Sequence, residues 1–191
     1  MASNRHLGRI IALQTLYEEE FRREASDADF DLEAVLERNV NRYKDMIDDL
    51  DFIHDLTFGV SARSDQLDAE LQPVAPEWPI DQIARMDRIV LRIGLYELEN
   101  ESDVPPKVVI NEAVELAKAF GGENSSKFVN GVLGTLLRNR ETAEEAVAKK
   151  TAAKKPSKDK VAKKKAVPAK AKTTAKSKAK SAPTKKKAAK K

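Results

Sequence analysis

Apolar side chains recur every three or four residues through most of the first 140 positions, and no long window alternates at every second position. That period is the helical one. Leu7, Ile10, Leu13, Tyr17 and Phe21, widened by Ile11 and Leu16, predict a helix over about 4–23. A loop around 25–31 follows. Leu32, Val35, Leu36, Val40 and Tyr43 predict a second helix from 32 to about 43. Phe52, Ile53, Leu56, Val60, Leu67 and Leu71 predict a long third over about 48–72, ended by Pro73 and Pro76. Pro79 opens a short helix over 80–86, and Asp87 stands as N-cap of the next, 88–99. That segment carries Ile89, Ile93 and Tyr96 on one face, with Val90, Leu91, Leu95 and Leu98 beside them, so it belongs at the centre of a bundle.

Pro105 and Pro106 start another helix, with Ile110, Ala113, Val114, Ala117 and Phe120 inward and Gly121 and Gly122 as C-cap residues. Ser125 or Ser126 caps the last, which carries Phe128, Val129, Val132, Leu133, Leu136 and Leu137. Gly131 and Gly134 inside it cost about 1 kcal/mol each in helix propensity, which predicts that another helix backbone packs closely there. The β-branched run Val108–Ile110 is too short to argue for a strand. The pattern is that of an all-α bundle.

Charge then divides the chain. Residues 149–191 hold 19 lysines, a single acid (Asp159), 11 alanines and three prolines, and no aromatic, leucine, isoleucine or glycine. Residues 1–148 hold 16 Lys+Arg against 30 Asp+Glu. The formal +4 is therefore a −14 body with a +18 tail. The expected organisation is a helical domain at 1–148 and a disordered tail at 149–191. The tail lacks the bulky apolar groups that offset a backbone ordering cost of about 1–2 kcal/mol per residue. Its lysines draw polyanions by counterion release, without reading sequence.

The chemistry-bearing residue types are sparse. There are two histidines, His6 and His54, and no cysteine, so no zinc site, thiolate or disulfide can be assembled at ordinary spacing. No phosphate-binding loop or dinucleotide fingerprint is present; Gly121-Gly122 follows a helix rather than a strand. His54-Asp55 and acid pairs such as Asp48-Asp49 read as helix surface. The expectation is a protein without catalytic activity, metal or cofactor. The absence of cysteine, of a signal peptide and of any apolar run near 20 residues fits the cytoplasm and no membrane.

Two helix beginnings are equipped to bind. Arg5, His6 and Arg9 occupy the opening turns of the first helix, and Glu18, Glu19 and Glu20 lie near its end. Both placements oppose the helix dipole by roughly a few tenths of a kcal/mol. Cations beside free N–H groups suit phosphate contacts, although ordinary surface charge with i,i+4 partners accounts for them equally well. The second beginning is Ser125-Ser126-Lys127-Phe128, where hydroxyls, N–H groups, a cation and an aromatic ring meet. Those groups hold a phosphate and stack an unpaired base; as structure alone they are caps and a core phenylalanine.

Four segments carry a resemblance: RIIALQTLY (9–17), RIVLRIGLYEL (88–98), PKVVINEAVELAKAF (106–120) and KFVNGVL (127–133). In their order and spacing, over about residues 4–140, the chain resembles the NusB family of transcription antitermination factors. The resemblance implies about seven helices in two small packed subdomains, without catalysis. It implies pairing with NusE, a small-subunit ribosomal protein, binding to boxA-type nascent RNA, chiefly ribosomal, and action on the RNA polymerase complex through these partners. It places the RNA surface at Arg5, His6, Arg9, Asn124, Ser125, Lys127 and Phe128, and the NusE contact near Asp87. Many relatives carry more arginine where His6 and Leu7 stand, so the tail is expected to compensate by adding phosphate contacts. The family's fold also occurs as an appendage of ribosomal RNA cytosine methyltransferases, but that enzyme needs an α/β domain where the lysine tail follows. The alternative function is nucleic-acid compaction or ribosome assembly driven by the basic tail.

Overall fold

The structure is a computed structural model that describes residues 2–100 and 103–152, with side chains for 5–100 and 103–143. Among the described residues every regular element is helical: α1 (Ala2–Glu24), α2 (Leu32–Asn41), α3 (Leu50–Ala62), α4 (Ser64–Leu71), α5 (Arg85–Asn100), α6 (Pro106–Phe120) and α7 (Ser125–Ala152), with short 3-10 turns between. α7 continues through 149–152, so the first four residues assigned to the tail extend this helix. The rest of the expected disordered tail lies outside the described residues.

Local chemistry sets the helix starts. The Asp31 carboxylate accepts from the Glu33 and Ala34 N–H groups, and Asp49 accepts from Phe52 N–H, so each satisfies donors with no helical partner. Pro106 supplies a pre-set φ at the first position of α6. α5 takes the centre: Ile89, Val90, Leu91, Ile93 and Leu95 are all buried, and the helix packs on α1, α3, α4, α6 and α7. α1 to α3 form one group and α4 to α7 the other. One continuous apolar core runs from Ile11 and Ile53 through Leu91 to Leu133, so the two groups share a compact unit, Met1–Lys154.

The helix expected over 48–72 is two. The chain turns at Arg63 (φ −111°, ψ 14°), which carries its guanidinium to Glu99 on α5 at 2.6 Å. Val60 and Leu67 are seven residues apart, a spacing that also fits an unbroken stripe, so periodicity does not register the turn. The short helix expected at 80–86 is a single 3-10 turn, Ile80–Gln82, and α5 begins at Arg85. Asp87 is therefore in the first turn of α5, not its N-cap. On α1, Ile11, Leu13 and Leu16 are buried as expected and Leu7 and Ile10 pack against the core, but Tyr17 and Phe21 are exposed, and Arg9, Ala12, Thr15 and Glu19 are buried beside them. The guanidinium of Arg85 lies over both exposed rings, 5.3 and 5.6 Å from their centres.

The glycines of α7 do not mark a close helix crossing. A Cβ on Gly131 would meet nothing within 4 Å, and one on Gly134 only the flexible end of Arg138. The tight positions are elsewhere. A Cβ on Gly94 would stand 2.6 Å from a Leu133 methyl, and one on Gly59 only 2.1 Å from the Tyr96 hydroxyl. The Tyr96 ring is nearly buried and its hydroxyl bonds Asp55 at 3.1 Å, so it has no easy retreat. Gly59→Ala is expected to destabilise by about 1–3 kcal/mol, the usual cost of overpacking. A thermal melt followed by circular dichroism checks this; an unchanged midpoint would contradict the close approach.

Candidate nucleic-acid and partner interface

Carboxylates already occupy the expected phosphate cluster on α1. Arg5 lies 3.4 Å from Asp49 and over the Phe52 ring at 4.8 Å, and the His6 ring meets Glu112 at 2.8 Å. Arg9 does not reach the surface. It is 3% exposed, its Nε and Nη2 donate to both Glu97 oxygens at 2.7–3.1 Å, and its Nη1 lies 3.3 Å from Glu112. The helical stripe turns position 9 inward, and a buried guanidinium requires an acid. Arg9 thus fastens α1 to α5 and α6, and the expectation that it faces a phosphate does not hold in this arrangement.

The glutamates at the end of α1 are also in use. Glu20 receives Arg88 at 2.8 Å and Arg92 at 3.1 Å, Glu19 receives Ser61 and Arg23 at 2.6 Å each, and Glu18 pairs with Arg38 of α2. Burial alone would lower the pKa of Arg92, but the bond and charge of Asp68 and the charge of Glu20 outweigh it and raise it. These acids tie α1 to its neighbours, which accounts for placements that the helix dipole disfavours.

The second helix beginning is open. α7 starts at Ser125, and Asn124 precedes it with its carbonyl accepting from Phe128 N–H at 3.0 Å. Ser125 is buried and its Oγ accepts from Gly122 N–H at 2.7 Å, so this hydroxyl shapes the turn instead of facing solvent. Gly121 lets that turn close, since a Cβ there would stand 2.6 Å from Ser125 Oγ and from the Ala117 carbonyl oxygen. Asn124 and Lys127 are exposed and Phe128 is half-buried. With Asp87, from the start of α5, they line one groove of about 640 Å³. The candidate partner residue and the candidate RNA residues of α7 therefore share a wall. Asp87 Oδ1 is buried there with no hydrogen-bond partner, an arrangement that costs about 1–3 kcal/mol and favours an incoming donor.

The two clusters are joined through α6. Glu112 of that helix holds His6 and Arg9, and the helix then runs eight residues to Phe120, about 12 Å, before the turn into α7. Trp78 also lines the groove and was missed by the sequence reading. Its signal was a lone tryptophan between Pro76 and Pro79, in a loop where no helical stripe demands one. Among the described residues no group of three or more His, Cys, Asp or Glu is placed to hold a metal ion, and no helix is long and apolar enough to cross a membrane.

The open groove of the helical bundle joins a cation, an aromatic ring and a carboxylate oxygen without a hydrogen-bond partner. The model of the NusB family matches residues 6–138. The chain is 43% identical over 151 residues to the transcription antitermination protein NusB of Chloroflexus aggregans (strain MD-66 / DSM 9485), covering 76% of this chain and 97% of that protein. It is 41% identical over 138 residues to the protein of the same name from Dehalococcoides mccartyi (strain CBDB1), covering 72% and 92%. Among solved structures, T. maritima NusB superposes with a TM-score of 0.61 at 34% identity, over 70% of this chain and 90% of that one. The NusB of a complex of antitermination factors NusB and NusE with double-stranded RNA matches at TM-score 0.62 and 23% identity, over 73% and 99%, and bears on the fold alone. The chain belongs to the NusB family. The family match ends at residue 138 and does not include the lysine tail.

Proposed function

We propose that this chain is a transcription antitermination factor that pairs with NusE and binds boxA-type nascent RNA in the cytoplasm, acting on RNA polymerase through that assembly and catalysing no reaction. Family membership supports the role. The observation that carries it to particular residues is the shared groove, where Asp87 and the Asn124–Phe128 turn adjoin. Lys127 supplies a phosphate contact, Phe128 an aromatic face, Asn124 adaptable polar groups, and Asp87 an acceptor for the partner. Arg5 and His6 extend the RNA surface, and Arg9 and Ser125 hold the two helix beginnings in place. The polycationic tail adds sequence-independent phosphate contacts.

The experiment is a binding assay with purified NusE and boxA RNA beside a scrambled RNA. The pair is expected to prefer boxA. Lys127→Ala is expected to weaken binding of both RNAs alike and to flatten the dependence of log affinity on log salt by about 0.7, the contribution of one phosphate contact on a single strand. Equal binding of both RNAs by the wild-type pair would favour the second reading, compaction driven by the +18 tail.

A further inference from the structure

Trp78 is 55% exposed, an unusual position for the largest apolar side chain. It is also firmly placed. The Gln72 side-chain amide donates to the Ala75 carbonyl at 3.4 Å and the Trp78 carbonyl at 3.2 Å, and its oxygen accepts from Ile80 N–H at 2.9 Å. Trp78 N–H donates to the Ala75 carbonyl at 3.1 Å, and Arg88 donates to the Ile80 carbonyl at 3.2 Å. Pro76 and Pro79 restrict the backbone on either side. Buried Ala75 and Ile83 anchor the segment at both ends. The loop backbone that carries Trp78 is therefore fixed, and its indole ring is presented to solvent.

The ring stands between two depressions. One is the groove already described, about 640 Å³; the other, about 380 Å³, runs along α7 past Gly131 and Thr135. Trp78, Lys127 and Phe128 line both. Each volume falls within the roughly 300–1,000 Å³ of small-ligand sites. Two aromatic rings with one exposed lysine are what an unpaired nucleotide needs: faces for the base and a cation for its phosphate. Glu77 on the wall of the second depression repels phosphate and can accept from a base amino group, so the charge pattern directs the backbone toward Lys127 and leaves Asp87 to the protein partner.

The geometry points to Trp78 as a base-stacking residue, which with Phe128 grips an unpaired base of single-stranded RNA at the ridge between the two depressions. This rests on the RNA-binding reading above and adds to it a residue, a contact type and a preference for unpaired RNA. It is directly visible, because Trp78 is the chain's sole tryptophan and the intrinsic indole emission comes from this position alone.

The test titrates the full-length protein, with NusE present, with single-stranded boxA RNA and with the same sequence as a blunt duplex. Single-stranded RNA is expected to quench the indole emission, the duplex far less. Trp78→Leu is expected to weaken single-strand binding by about 5- to 150-fold, the range found for removing one base–aromatic stack. Trp78→Phe should recover part of the loss, which a change of fold would not produce. Lys127→Ala should weaken binding yet leave the quench at saturation intact. RNA binding with unchanged emission and wild-type affinity in Trp78→Leu would overturn the inference and leave the RNA-binding reading standing. Quenching by NusE alone, with no further change on adding RNA, would overturn it in favour of a protein in the groove. Absence of any RNA binding by the wild-type pair would overturn both.

Discussion

Glu97→Ala is expected to destabilise the protein by about 3–5 kcal/mol, the largest loss of any single substitution considered for this chain. Glu97 is 1% exposed and holds the 3%-exposed Arg9 through three hydrogen bonds. Removing the acid leaves a guanidinium buried among helices, with Glu112 at 3.3 Å as the remaining counter-charge. For a domain of this size each kcal/mol moves the thermal midpoint by roughly 2–4 °C, so the melt should fall by about 6–20 °C. The double change Arg9→Met with Glu97→Leu removes both charges at similar volume and should recover most of that loss. A double variant as unstable as Glu97→Ala would show that lost packing, not a stranded charge, causes the effect.

The second large effect is expected in RNA binding. Deleting residues 155–191 removes 16 of the tail's 19 lysines and leaves the compact unit whole. If roughly six of those lysines meet phosphates, the slope of log affinity against log salt becomes shallower by about 4, since each contact on a single strand contributes about 0.7. At about 50 mM salt the full-length protein should bind boxA and scrambled RNA at least roughly tenfold more tightly than the shortened one, with the gap narrowing as salt rises. The ratio between the two RNAs should hardly change, because phosphate contacts carry no sequence. Matching salt slopes for the two proteins would show that the tail does not touch RNA.

Element existence was legible in the sequence wherever an apolar stripe ran between proline, glycine or acid signals. The central α5 and the proline start of α6 are of this kind, whereas the caps Asp31 and Asp49 were not read from the sequence, which had Asp48-Asp49 as helix surface and Asp87 as a cap. What escaped has physical reasons. The turn at Arg63 keeps the seven-residue spacing of Val60 and Leu67, so the stripe reads straight through it. The α1 stripe held at Ile11, Leu13 and Leu16 and failed at its C-terminal end, because Tyr17 and Phe21 are apolar yet exposed, while Arg9 and Glu19 are charged yet buried. Hydropathy periodicity counts only the apolar residues. The trace of the Arg9–Glu97 pair was a charge at buried spacing in each of two strongly apolar helices, Arg9 with Ala12, Leu13 and Leu16, and Glu97 between Tyr96 and Leu98. At the candidate site the α7 turn and Asp87 were read from sequence. That they share a groove depends on how α5 and α7 pack, which no local pattern encodes, and Trp78 joins them from a loop with no periodicity at all.

The carboxylates around the start of α1 have a thermodynamic corollary. Arg5 and His6 hold that helix to Asp49 of the α3 cap and to Glu112 of α6. A phosphate that captures either side chain must compete with its acid and so loosens the docking of α1. The cost of that competition is carried inside the dissociation constant: phosphate binds there more weakly than it would to unengaged cations, and the affinity that remains raises the melting temperature as the measured constant dictates.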